Sequence, residues 1–121
     1  MTEFLAISKA LSDESRVRAV LALAGGELCL CHLIELVGLS PSTVSKHMSV
    51  LQQAGLVRLR KDGRWHYYGL SGSDAPPMVR QALRWVLESL DGEPAVVADA
   101  EVLSGLRAKA REELTACYAA S

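Results

Sequence analysis

The chain has 121 residues, half of them hydrophobic and only 5% aromatic, with a formal net charge of −1. That length suits one domain around a single core, and abundant Ala, Leu and Val with few aromatics favour a mainly helical one. No run of about 18 apolar residues offers a membrane span, and the start Met1-Thr2-Glu3-Phe4 has an early acid and no basic stretch, so no secretory leader and a cytoplasmic protein are expected.

Phe4, Ile7 and Leu11 recur at helical spacing over residues 3–11. A second helix is predicted over residues 14–24, with Val17, Val20, Leu21 and Ala24 on one face and Gly25-Gly26 as its stop. The third, over residues 28–37, has Leu30, Leu33, Ile34 and Val37 in the i, i+3, i+4, i+7 pattern and ends at Gly38. Ser40 is a good N-cap for a fourth, and Pro41 fits the first helical position, where its missing N–H costs nothing. Val44, Met48 and Leu51 mark that helix's buried face, which runs to about Ala54 before Gly55. Two β-rich runs follow, residues 56–60 and 65–70, joined by Lys61-Asp62-Gly63-Arg64, the turn chemistry of a hairpin. After a loop over residues 71–77, Val79, Leu83, Val86, Leu87 and Leu90 form the stripe of a fifth helix, broken at Gly92-Glu93-Pro94. A last helix, residues 95–119, carries Leu103, Leu106, Ala110, Leu114 and Cys117 three and four apart. The expected fold is mainly α with a small β-hairpin: a winged helix-turn-helix. Residues 1–91 form its DNA-binding and dimerisation domain, and residues 92–121 a C-terminal helical extension.

On the fourth helix, Ser42, Ser45, Lys46, Ser49 and Gln53 lie opposite the apolar stripe, and Thr43 and His47 flank them. Short hydroxyls, an amide and a cation suit base edges and phosphates in a major groove. The hairpin adds Arg58, Arg60, Lys61 and Arg64 for flanking phosphates. Between Pro41 and Leu70 five Lys and Arg residues face one acid, Asp62, whereas residues 88–101 hold five acids and no cation. The near-zero net charge therefore hides a basic segment.

The stretch from Leu11 to Leu70 resembles the ArsR/SmtB family of metal-responsive repressors. The resemblance is carried by Glu27-Leu28-Cys29-Leu30-Cys31-His32-Leu33, by Leu39-Ser40-Pro41-Ser42-Thr43-Val44-Ser45-Lys46-His47-Met48, by Leu51-Gln52-Gln53-Ala54-Gly55-Leu56-Val57, and by the wing Arg64-Trp65-His66-Tyr67-Tyr68. It implies a homodimer built on the first helix and the helices after the wing. Such a dimer binds an inverted repeat in double-stranded operator DNA and represses until an inducer binds. It also implies that the protein is not an enzyme, and the chain shows no positioned base, nucleotide-binding glycine loop or metal-hydrolase motif.

Cys29 and Cys31 are the candidate inducer ligands. On an intact helix, side chains two residues apart diverge by about 200°, so sharing one ion requires the first turn of the third helix to distort. That distortion would displace the recognition helix that follows, so inducer and DNA would oppose each other. Soft thiolates select thiophilic ions: As(III), Sb(III), Cd(II), Pb(II), Hg(II), Cu(I) or Zn(II). Residues 27–33 resemble the arsenite-sensing members most closely, which implies As(III) or Sb(III) as inducer. His32 stands where an acid is usual there, and Ile34 where some members place a third cysteine. A third ligand is then exogenous or Cys117, whose place on an apolar stripe also suits plain burial. The family's other metal site, on the helix after the wing, uses histidines, and residues 78–121 contain none. His66, beside Trp65 and Tyr67, suits packing or a phosphate contact. Oxidation of the thiols is the competing mode of sensing, although a Cys29–Cys31 disulfide within one helix is strained.

Overall fold

The structure is a computed structural model that describes residues 1–109. Among these described residues six helices and three strands follow one another: α1 (Thr2–Ala10), α2 (Glu14–Leu23), β1 (Leu28–Cys29), α3 (Leu30–Val37), α4 (Pro41–Gln53), β2 (Val57–Asp62), β3 (Trp65–Leu70), α5 (Pro77–Ser89) and α6 (Pro94–Arg107). The strands form an antiparallel sheet in the order β1-β3-β2.

Local chemistry sets most of these boundaries. The Asp13 side chain accepts from the Arg16 N–H at 3.1 Å and starts α2. Gly38 ends α3 in the left-handed conformation that a residue with a Cβ adopts only under strain (φ 76°). The β2–β3 hairpin turns through Gly63 and Arg64, since Asp62 pairs with Trp65. Of these two residues only Gly63 has positive φ, the pattern of a type II′ turn.

One boundary departs from the expectation. Residues 28 and 29 do not open the third helix but form strand β1, with Leu28 opposite Tyr68 and Cys29 opposite Tyr67 on β3. Helical periodicity is satisfied from Leu30 onward, but pairing with a strand some forty residues away claims the two residues before it. The sheet therefore has a third strand beyond the expected hairpin, and the cysteines straddle a strand–helix boundary.

The core is continuous from Ile7 and Ala10 through Leu23, Leu33, Met48, Leu51 and Leu56 to Tyr68 and Val79. α6 closes it from the outside by burying Leu103 and Leu106. The Arg18 guanidinium grips both Asp99 oxygens, Nε to Oδ2 at 2.8 Å and Nη2 to Oδ1 at 2.9 Å, and donates to the Leu36 carbonyl at 3.2 Å. One side chain thereby ties α2, the end of α3 and α6 together. Among the described residues no helix is long and apolar enough to cross a membrane.

Candidate nucleic-acid interface and thiol pair

α4 is fixed at both ends. Ser40 Oγ accepts from the Thr43 N–H at 3.3 Å and lies 2.7 Å from Thr43 Oγ1, while Val44, Met48 and Leu51 are buried beneath. The opposite face presents Ser42, Thr43, Lys46, Ser49 and Gln53 to solvent, with Ser45 and His47 half-buried. His47 is also held from below: Arg16 Nη1 lies 3.1 Å from His47 Nδ1. Because a guanidinium only donates, Nδ1 accepts and the ring proton sits on Nε2. Arg16 also donates to the carbonyls of Ala10 at 2.8 Å and Lys9 at 3.1 Å, so it fastens the end of α1 to α4.

The expected wing residues are all exposed, and three of them are engaged. Arg58 pairs with Asp74, and this hydrogen bond holds the Asp74 carboxyl below its usual range. Arg60 pairs with Glu27 through both guanidinium edges, Nε to Oε2 at 3.1 Å and Nη2 to Oε1 at 2.6 Å, and lies 4.4 Å over the Tyr67 ring. Arg64 lies 4.8 Å over the Trp65 ring. Lys61 stands near the tip of the hairpin.

At the other end of the same sheet the sulfurs of Cys29 and Cys31 meet. Cys29 is the N-cap of α3 with extended backbone (φ −67°, ψ 148°), and its Sγ accepts from the Cys31 N–H at 3.5 Å. The sulfurs of Cys29 and Cys31 are 3.2 Å apart, and both residues are buried. The 200° divergence expected of two residues on one helix does not arise, because Cys29 precedes the helix and its side chain folds back over the first turn. The two sulfurs therefore lie side by side with α3 intact, which corrects the distortion expected from the sequence. The described residues gather no group of three potential ligands, and Cys117 lies outside the described residues.

Three positions escaped the sequence reading: Arg16 behind His47, Glu27 against Arg60, and the Arg18–Asp99 clamp. Glu27 was legible only as a neighbour of the thiols; its salt bridge spans 33 residues, a separation that no local pattern encodes.

Comparisons with known proteins fit this geometry. Residues 13–58 match the family model described as bacterial regulatory protein, arsR family. An arsenic resistance transcriptional regulator of Pseudomonas putida is 37% identical over 84 residues, 69% of this chain and 72% of that protein. The chain belongs to the arsR family. Like other arsR-family proteins it is a DNA-binding transcriptional regulator and not an enzyme. An arsenical resistance operon repressor of Staphylococcus aureus is 45% identical over 69 residues, 57% of this chain and 66% of that one. Among solved structures, the homodimeric winged helix-turn-helix DNA-binding domain of a possible ArsR-family transcriptional regulator from Mycobacterium bovis superposes with a TM-score of 0.61 at 26% identity. That match covers 74% of this chain and 82% of the other.

Proposed function

We propose that this arsR-family protein represses an arsenical or antimonial resistance operon. As a homodimer it binds an inverted repeat in double-stranded operator DNA, and it leaves when As(III) or Sb(III) binds Cys29, Cys31 and Cys117. The observation that carries the reading is the 3.2 Å between the Cys29 and Cys31 sulfurs at the β1–α3 junction. Two sulfurs about 2.3 Å from one ion lie about 3.8 Å apart at tetrahedral angles and about 3.3 Å apart near a right angle. Trivalent arsenic and antimony carry a lone pair that compresses their S–M–S angles, so two closely spaced sulfur ligands suit them. The names of the Pseudomonas and Staphylococcus relatives point to the same chemistry.

A third sulfur completes the pyramid that these ions favour. Cys117 is the remaining thiol of the chain, and α6 carries the backbone towards the pair. Near its end Arg107 approaches the carbonyls of Glu27 and Gly26 at 3.4 Å, just before β1. Cys117 is ten residues further on, a stretch long enough to return to Cys29.

On the DNA side, Ser42, Thr43, Ser45, Lys46, His47 and Ser49 of α4 take the major groove and its phosphates, and Arg58, Arg60, Lys61 and Arg64 take flanking phosphates. A second copy covers the apolar groove between α1 and α5, where Phe4 is 55% and Trp85 68% exposed. A single chain has no use for that much open aromatic surface.

The test is fluorescence anisotropy of a labelled duplex from the regulator's own promoter, with arsenite, cadmium and zinc added separately. Arsenite is expected to release the wild type at the lowest concentration. The Cys29→Ser/Cys31→Ser variant should stay bound, and Cys117→Ser should need far more arsenite. Release of the double variant at wild-type concentrations, or release of the wild type by an oxidant alone, would overturn the reading.

A further inference from the structure

Cys29 and the wing share one sheet, and one rung of it joins them. Cys29 on β1 is opposite Tyr67 on β3, which is opposite Arg60 on β2. Glu27 stands two residues before Cys29 and takes the Arg60 guanidinium, which lies over the Tyr67 ring, two-pronged. Carboxylate and phosphate engage a guanidinium in this same geometry. Arg58 is likewise held by an acid, but Asp74 lies in the loop after β3, away from the thiols. Among the described residues, the Arg60 pair is the one that connects a wing cation to the segment leading into β1.

We infer that Glu27 is a built-in phosphate surrogate: it competes with a DNA phosphate for Arg60, and its place immediately before the cysteine-bearing strand β1 ties the wing's grip on DNA to the state of Cys29 and Cys31. The coupling half of this inference rests on the reading of that pair as the inducer site; the competition for Arg60 does not. The element with two arrangements is the Arg60 side chain, on Glu27 or on phosphate. An ion held by Cys29 and Cys31 fixes β1 against α3 and keeps Glu27 in register with Arg60, so the carboxylate wins. By linkage, DNA that takes Arg60 loosens β1 and weakens inducer binding by the same factor.

Glu27→Gln keeps the size of the side chain and removes its charge. Its operator affinity is measured by anisotropy from low to high salt, beside wild type and Glu27→Gln/Arg60→Gln, with melting temperatures to verify folding. Without arsenite, Glu27→Gln is expected to bind tighter, with a salt dependence steeper by about one phosphate per subunit, a slope change of about 0.9 each. The Arg60→Gln substitution in the double variant should abolish that gain. An unchanged slope in Glu27→Gln, or a gain that survives loss of Arg60, overturns the competition: Glu27 is then structural or acts by general repulsion. With arsenite, Glu27→Gln should still bind the ion, read from the thiolate absorbance of the complex, but release DNA several-fold less than wild type. Equal release overturns the coupling. Failure of arsenite to release wild type would instead overturn the inducer reading, leaving the salt result to decide the competition alone.

Discussion

The recognition helix and the thiol junction are neighbours in the chain, built by opposite rules. α4 carries its determinants within its own residues: the Ser40 cap, Pro41 in the first turn, a buried stripe at Val44, Met48 and Leu51, and an end before Gly55. The β1–α3 junction is decided from outside. Leu28 and Cys29 continue an apolar pattern that reads as helix, yet they are drawn into a sheet by Tyr67 and Tyr68. An element that reads DNA needs a shape that changes little, and local rules supply one. An element that senses must be answerable to distant parts of the fold, and long-range pairing makes it so.

A pair of leucines, one from each region, gives the largest expected effect. Leu28 and Leu51 are both fully buried, and replacing either with Ala should cost about 2–5 kcal/mol in urea unfolding. The two variants should differ in thiol labelling under native conditions. Leu28→Ala frees β1 from β3 and should speed modification of Cys29 well beyond what its loss of global stability explains. Leu51→Ala should label only as fast as the whole molecule opens. Equal labelling at equal stability would mean that the junction is not held separately from the core.

The same contrast explains what was legible in the sequence. The caps, the glycine stops, the apolar stripes of α4 and α5 and the hairpin all announce themselves within a few residues, and the winged helix-turn-helix follows from their order. The cysteine pair was legible as chemistry, because two thiols two residues apart cannot share one buried helix face. Their geometry was not, since it depends on which strand claims Leu28. For the same reason the wing cations were visible as charges but their carboxylate partners were not: Glu27 and Asp74 reach Arg60 and Arg58 across 33 and 16 residues. Arg16 looked like a surface cation of α2, and only packing of α2 against α4 turns it into the support of His47.

The caps of α3 and α4 should respond differently to substitution. Ser40→Ala removes the oxygen that accepts from the Thr43 N–H and is expected to cost about 1 kcal/mol. At α3 the capping atom is the Cys29 sulfur, a weak acceptor at 3.5 Å from the Cys31 nitrogen. Cys29→Ser places a stronger acceptor there, so its thermal unfolding midpoint should match or slightly exceed that of the wild type even as inducer binding is lost. A large fall would show that the sulfur contributes by packing, and would disqualify the variant as a clean probe of ligation.

The smallest effect belongs to α2, whose cap can titrate. Burial pushes the Asp13 carboxyl up, but the Arg16 N–H hydrogen bond and the Arg16 charge outweigh it, and the folded pKa falls below the usual carboxylate range. A carboxyl lowered in the folded state stabilises above its unfolded pKa and loses that contribution as pH falls through the folded one. Stability should therefore decline from about pH 5 downward, by less than about 1 kcal/mol for this group because it is largely solvated. Asp13→Asn keeps a capping oxygen and removes the ionisation. Its urea midpoint should lie close to that of the wild type at pH 7, with a flatter profile between about pH 5 and pH 2. The caps of α3 and α4 add nothing to that acid limb, since neither Cys29 nor Ser40 carries a carboxyl. If the Asn variant loses stability on acidification as steeply as the wild type, the acid limb belongs to the salt-bridged carboxylates Glu27 and Asp74.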